Sequence, residues 1–128
     1  MFAPTSNSQA EVYLGDFCWQ ADSTVTPKSV LLSIGVYQKD GGHIALFGKV
    51  FQGNNTAIHG NAEIDGASVV MTLAESGDIN NFWPGTEAMI WNAVLDRPAL
   101  NGSYSSLELI PQQSIPEDTG TMTLVTCP

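Results

Sequence analysis

Two histidines, two cysteines and a scatter of carboxylates are the residues of this chain equipped for chemistry. His43 and His59 fall on the outer parity of two neighbouring strand-like segments, 43–52 and 57–65, with Glu63 within cross-strand reach. Convergence of three such groups is what a zinc site requires. Two solvated imidazoles account for the same pattern, and no metal is assigned. The acidic stretches at 63–65 and 78 lack the spaced oxygen ligands of a calcium loop. Asp16 could pair with Glu11 or Asp22, but these positions lie on an outer parity or in a loop. No serine sits in a strand–turn–helix elbow, and neither a Gly-rich phosphate cradle nor a Cys-x-x-Cys is present. No catalytic residue and no cofactor follow from these motifs. The enzymatic alternative that stays open is a hydrolase or isomerase at a barrel mouth, using His43 or His59.

The cysteines carry more information. Cys18 and Cys127 are 109 residues apart, one in the first strand-like stretch and one in the last. Two cysteines allow a single intramolecular pairing, and closing a loop of about 100 residues contributes roughly 4–5 kcal/mol in chain-entropy models. A sheet whose first and last strands are stapled has closed on itself, and the bond implies an oxidising compartment, secreted or periplasmic. The alternative is two unrelated thiols.

The elements that would position these groups are strands. Val30, Leu32, Ile34 and Val36 share one face of 29–38, and Ile44, Leu46, Gly48 and Val50 share one face of 43–52. Lys39-Asp40-Gly41-Gly42 between them has hairpin chemistry. After a Gly53-Asn54-Asn55 turn, 57–65 offers Ile58, Gly60, Ala62 and Ile64. Asp65-Gly66 leads into a segment with Val69, Met71 and Leu73 inward. A long connection at 76–86 precedes 87–96, where Ala88, Ile90, Asn92 and Val94 are taken as inner. Arg97-Pro98 then introduces a segment with Leu100, Gly102 and Tyr104 on one face. A Pro-containing loop at 111–120 leads to 121–127, with Met122 and Leu124 inward.

The first segment, 11–20, admits either parity. Facing Tyr13, Gly15, Phe17 and Trp19 inward puts Cys18 outside, on the same face as Cys127, as a bridge requires. The opposite choice buries Val12, Leu14 and Asp16 and separates the cysteines. Eight antiparallel, mostly hairpin-linked segments predict an all-β, up-and-down barrel over 11–128, with 1–10 a disordered lead-in. A two-sheet β-sandwich is the alternative.

Composition restricts the partners. Thirteen acidic residues face four basic ones, Lys28, Lys39, Lys49 and Arg97, for a net charge of −9. Four scattered basic groups cannot release the counterions of a phosphate backbone, so nucleic acid is excluded as a partner. No apolar run is long enough to span a bilayer as a helix, and no membrane insertion is expected. Asn54-Asn55-Thr56 and Asn101-Gly102-Ser103 match the glycosylation sequon.

Two fragments resemble the calycin group, the lipocalins and avidins with eight-stranded meander barrels. Gly15-Asp16-Phe17-Cys18-Trp19 lies where lipocalins carry a Gly-x-Trp in their first strand, with Phe17 in the tryptophan position and Trp19 two residues on. Leu100-Asn101-Gly102-Ser103-Tyr104-Ser105-Ser106 is similar to an avidin strand with its Leu-x-Gly-x-Tyr-x-Ser pattern, although avidins place it early in the chain. The resemblance implies the barrel shape; no biotin-binding set maps onto this chain.

The functional expectation is an exported, non-catalytic barrel that takes a small apolar or amphipathic molecule in its lumen. Tyr13, Trp19, Met71, Asn92 and Tyr104 are the residues expected to line it. The alternative is a structural or protein-interaction domain. Leu31, Tyr37, Phe47 and Phe51 share an outer face on two adjacent segments, an apolar patch suited to a homodimer interface.

Overall fold

In the computed structural model the described residues are 11–25, 27–52, 54–76, 88–110, 113–114 and 118–128. The strands are β1 (Val12–Ser23), β2 (Ser29–Gln38), β3 (Ile44–Gln52), β4 (Asn54–Asp65) and β5 (Ser68–Ser76). They continue with β6 (Ala88–Asp96), β7 (Asn101–Ile110), the two-residue β8 (Gln113–Ser114) and β9 (Asp118–Val125). Each long strand pairs antiparallel with its neighbour in sequence, β6 also pairs with β7, and β9 lies between β7 and β1. The ring of eight long strands is therefore complete, and β8 is a short flap on the end of β7. The sandwich alternative is excluded by this closure. The expected lead-in at 1–10 and most of the connection at 76–86 lie outside the described residues. The 111–120 stretch is not all loop, because β9 begins at Asp118 and β8 falls within it.

Closure runs through β1 and β9, from Cys18 opposite Val125 to Ser23 opposite Gly120. Cys18 and Cys127 form a disulfide across this seam, with Cα atoms 5.2 Å apart. Cys18 is fully buried beneath the C-terminal tail although it faces away from the interior. Each of the eight long strands sends side chains into one core cluster that runs from Trp19 and Leu32 through Met71 and Leu95 to Tyr104 and Met122. Removing such apolar surface from water supplies the drive to close the ring, at roughly 25 cal/mol per Å².

Two faces differ from the expectation, each for a physical reason. Asn92 is exposed and lies on the outer face, while Trp91, Ala93 and Leu95 are buried. Within 88–96 the face of Met89, Trp91, Ala93 and Leu95 is wholly apolar, whereas the opposite face carries Asn92 and Asp96, so the more apolar face is the one turned inward. Register agrees: Met71 lies opposite Ala93 and Leu73 opposite Trp91, and directly opposed residues share a face. Tyr13 is likewise outside, at 52% exposure. A register shift between Tyr13 and Gly15 inserts Leu14 as an extra residue, so Gly15 faces Val36 but Tyr13 faces Tyr37. Gly15 has a φ of +125°, a conformation in which other residues are strained.

Candidate functional site

The two ends of the barrel interior are built from different chemistry. At the end formed by the 97–100 turn, the inward residues Phe17, Val36, Ile44, Val69, Leu100 and Leu124 pack against the core. Trp19 is buried beneath that turn, and its indole N–H donates to the Leu100 carbonyl at 2.9 Å. Phe17 stacks on it with ring centroids 6.0 Å apart. Leu100 has a φ of 61°, in the left-handed region. This end is apolar and covered.

At the opposite end, polar side chains enter the interior. Glu75 continues the inward run of Met71 and Leu73 on β5 and is only 4% exposed. Its Oε1 accepts from the Trp91 indole N–H at 2.8 Å, and its Oε2 accepts from the Thr56 hydroxyl. The Trp91 ring lies 5.0 Å from that of Tyr104 on β7. The Tyr104 hydroxyl donates to Asp118 Oδ2 at 3.2 Å, and the Ser23 hydroxyl donates to Oδ1 of the same carboxylate at 2.6 Å. Thr56, Glu75, Trp91, Tyr104, Asp118 and Ser23 thus form one linked belt, each from a different strand of the ring.

Local backbone geometry makes room for the belt. A Cβ built on Gly120 would meet the Asp22 carbonyl oxygen at 2.0 Å and the Tyr104 ring at 2.7 Å. Only glycine lets β9 approach β1 and leave the tyrosine ring in place. The environment acts on the phenol in turn. Burial, followed by the negative charge and hydrogen bond of Asp118, pushes the Tyr104 pKa up to about 12, against a small opposing effect of Ser23.

Of the residues expected to line the lumen, Trp19, Met71 and Tyr104 point inward, and Tyr104 alone belongs to the belt. Tyr13 and Asn92 lie outside, for the reasons given above. Glu75 and Trp91 lie outside that expected set. Both are legible by parity, Glu75 as the next inward position after Leu73 and Trp91 on the wholly apolar face of Met89, Ala93 and Leu95.

Tyr13 instead joins the outer aromatic patch. Its ring lies 5.1 Å from Tyr37, whose ring meets Phe47 edge-on at 5.9 Å. The Tyr13 hydroxyl donates to Asp16 Oδ1 at 2.6 Å; this bond, then burial and the Asp16 charge, pushes its pKa up to about 12. Leu31 and Phe51 are direct cross-strand partners farther along the same two strands. Phe47 is 52% exposed and Phe51 36%. His43 and His59 are both exposed, and no three His, Cys, Asp or Glu among the described residues could hold a metal ion together.

No known protein-family model matches this chain, and no curated protein matches it.

Proposed function

We propose that the protein is an exported, non-catalytic binding module that takes a small amphipathic molecule at the polar end of its barrel. The buried carboxyl group of Glu75, held by Trp91 and Thr56, carries this reading. Burying an acid inside an apolar core is expensive, and well-packed apolar side chains do at least as well for stability. A few convergent polar groups set in apolar walls are what fixes the orientation of a small ligand. The Cys18–Cys127 bond accords with an oxidising, extracytoplasmic setting, and the closed meander accords with the calycin likeness.

Titration with a fluorescent hydrophobic probe, followed through quenching of the tryptophans, tests the proposal. Saturable one-to-one binding that is weakened by Trp91→Phe and Glu75→Leu is the expected result. No saturable binding to the folded, disulfide-bonded protein overturns it.

A second reading rests on the outer aromatic row Tyr13, Tyr37 and Phe47, which the relocation of Tyr13 extends across β1, β2 and β3. It makes the protein an interaction domain, with a second copy of the chain as the partner on that face. Light scattering separates this reading from the first. A dimeric mass that falls to monomeric in Phe47→Ser supports it, and an unchanged mass removes it.

A further inference from the structure

We infer that the molecule held at the polar end is an organic cation, an ammonium group on an apolar body. This inference rests on the binding role proposed above and names the chemistry of the ligand.

The belt supplies two acids and two aromatic rings, and no base. Two acids of the belt, Glu75 and Asp118, face the interior. All four basic residues of the chain, Lys28, Lys39, Lys49 and Arg97, are exposed, as are both histidines. An anionic head group entering here would meet two acids with no compensating positive charge within reach. A cation would be attracted by both, and the attraction is stronger away from water than at the surface.

The rings point the same way. Trp91 and Tyr104, with ring centroids 5.0 Å apart, are hydrogen-bonded to Glu75 and Asp118 respectively, and tryptophan is the best of the aromatic side chains for a cation. Carboxylates beside aromatic faces form a surface that favours an ammonium over a neutral alcohol of the same size.

Ser106 is a second, independent observation pointing to a ligand here. The Ser106 side chain is 6% exposed, and its hydroxyl has no hydrogen-bond partner among the described residues. Ser106 follows Gly102 and Tyr104 on the inward face of β7, opposite Trp91 on one side and Asp118 on the other. A buried hydroxyl without a partner costs about 1–3 kcal/mol, a cost relieved when a donor reaches it. Its cross-strand neighbours Trp91 and Asp118 both belong to the belt.

Three probes with the same ten-carbon tail distinguish the outcomes: decylammonium, decanol and decanoate, each below its micelle concentration. Isothermal titration of the full-length, disulfide-bonded protein is expected to show decylammonium binding about tenfold more tightly than decanol, and decanoate weakest. Glu75→Gln and Asp118→Asn should each weaken decylammonium more than decanol, bringing the two affinities together. Ser106→Ala should weaken decylammonium more than decanoate, which brings no donor. Circular dichroism keeps unfolded variants out of the comparison, and the two acid variants serve as checks on each other. Decanol or decanoate binding as tightly as decylammonium would overturn the cation while leaving the binding module standing. Decylammonium binding that is indifferent to all three substitutions would overturn this site. Failure of all three probes would remove both readings.

Discussion

Trp91 and Glu75, on adjacent strands, meet inside the barrel through an indole N–H that donates to a carboxyl oxygen at 2.8 Å. Neither is exposed beyond 4%, so this contact lies out of water, where a polar group left without its partner is costly. Trp91→Phe keeps the ring and its contact with Tyr104 but deletes the donor. A loss of about 1–3 kcal/mol is expected in urea unfolding. Glu75→Leu alone orphans both the Trp91 indole N–H and the Thr56 hydroxyl, so it should cost at least as much as Trp91→Phe, and the two substitutions together should cost less than the sum of the single losses.

The disulfide joins the strands that complete the ring. Cys127→Ser is expected to lower stability by about 4–5 kcal/mol, through the freedom regained by the unfolded chain. Urea denaturation of the variant, beside wild type with and without reductant, checks this. Equal midpoints for oxidised and reduced protein would contradict it.

Gly120→Ala drives a methyl group into the Asp22 carbonyl and the Tyr104 ring. Overpacking of this kind costs about 1–3 kcal/mol. Displacement of Tyr104 should also change near-ultraviolet circular dichroism, because the ring leaves Trp91. An alanine at Gly42, where a Cβ has open space but φ is +78°, separates backbone strain from crowding.

Tyr104 predicts a defined alkaline limb of stability. Its folded pKa, about 12, lies above the ordinary tyrosine value of 10.0. Between the two values the native state therefore holds a proton that the unfolded chain releases. The contribution is fully present below pH 10 and is lost as pH rises toward 12. Tyr13 is raised in the same way, so the titration is best followed in a Tyr13→Phe background. Phenolate absorbance should then show one late-titrating tyrosine, and Asp118→Asn should bring it to lower pH by removing the charge and the hydrogen-bond acceptor.

Much of this architecture is legible in the residue order. Alternation in 29–38, 43–52 and 57–65 places Leu32, Ile34, Leu46, Val50 and Ile58 inward, and all five are buried. The parity that puts Cys18 and Cys127 on a common outer face agrees with the bond found there. Ile64 departs from its run: it is inward by parity yet 52% exposed, because it lies at the barrel rim beside the Gly66 turn.

Tyr13 shows where alternation stops being sufficient. A bulge changes parity within a strand, and its cue, an isolated glycine at position 15, fits a plain inward position equally well. In 88–96 the wholly apolar face of Met89, Trp91, Ala93 and Leu95 is the inward one, and the pairing with β5 agrees.

Eight alternating segments and two terminal cysteines point to a closed, oxidised ring, because a period of two lets every strand bury one face and closure leaves no edge unpaired; the pairing of β9 with β1 and the bond decide it over a sandwich with free thiols. Tertiary pairing settled which residues met inside the ring. Members of the polar belt lie from 14 to 95 positions apart in the chain where they touch through hydrogen bonds. Periodicity orders residues along one strand, whereas register between strands brings Thr56, Glu75, Trp91, Tyr104 and Asp118 to one level of the barrel.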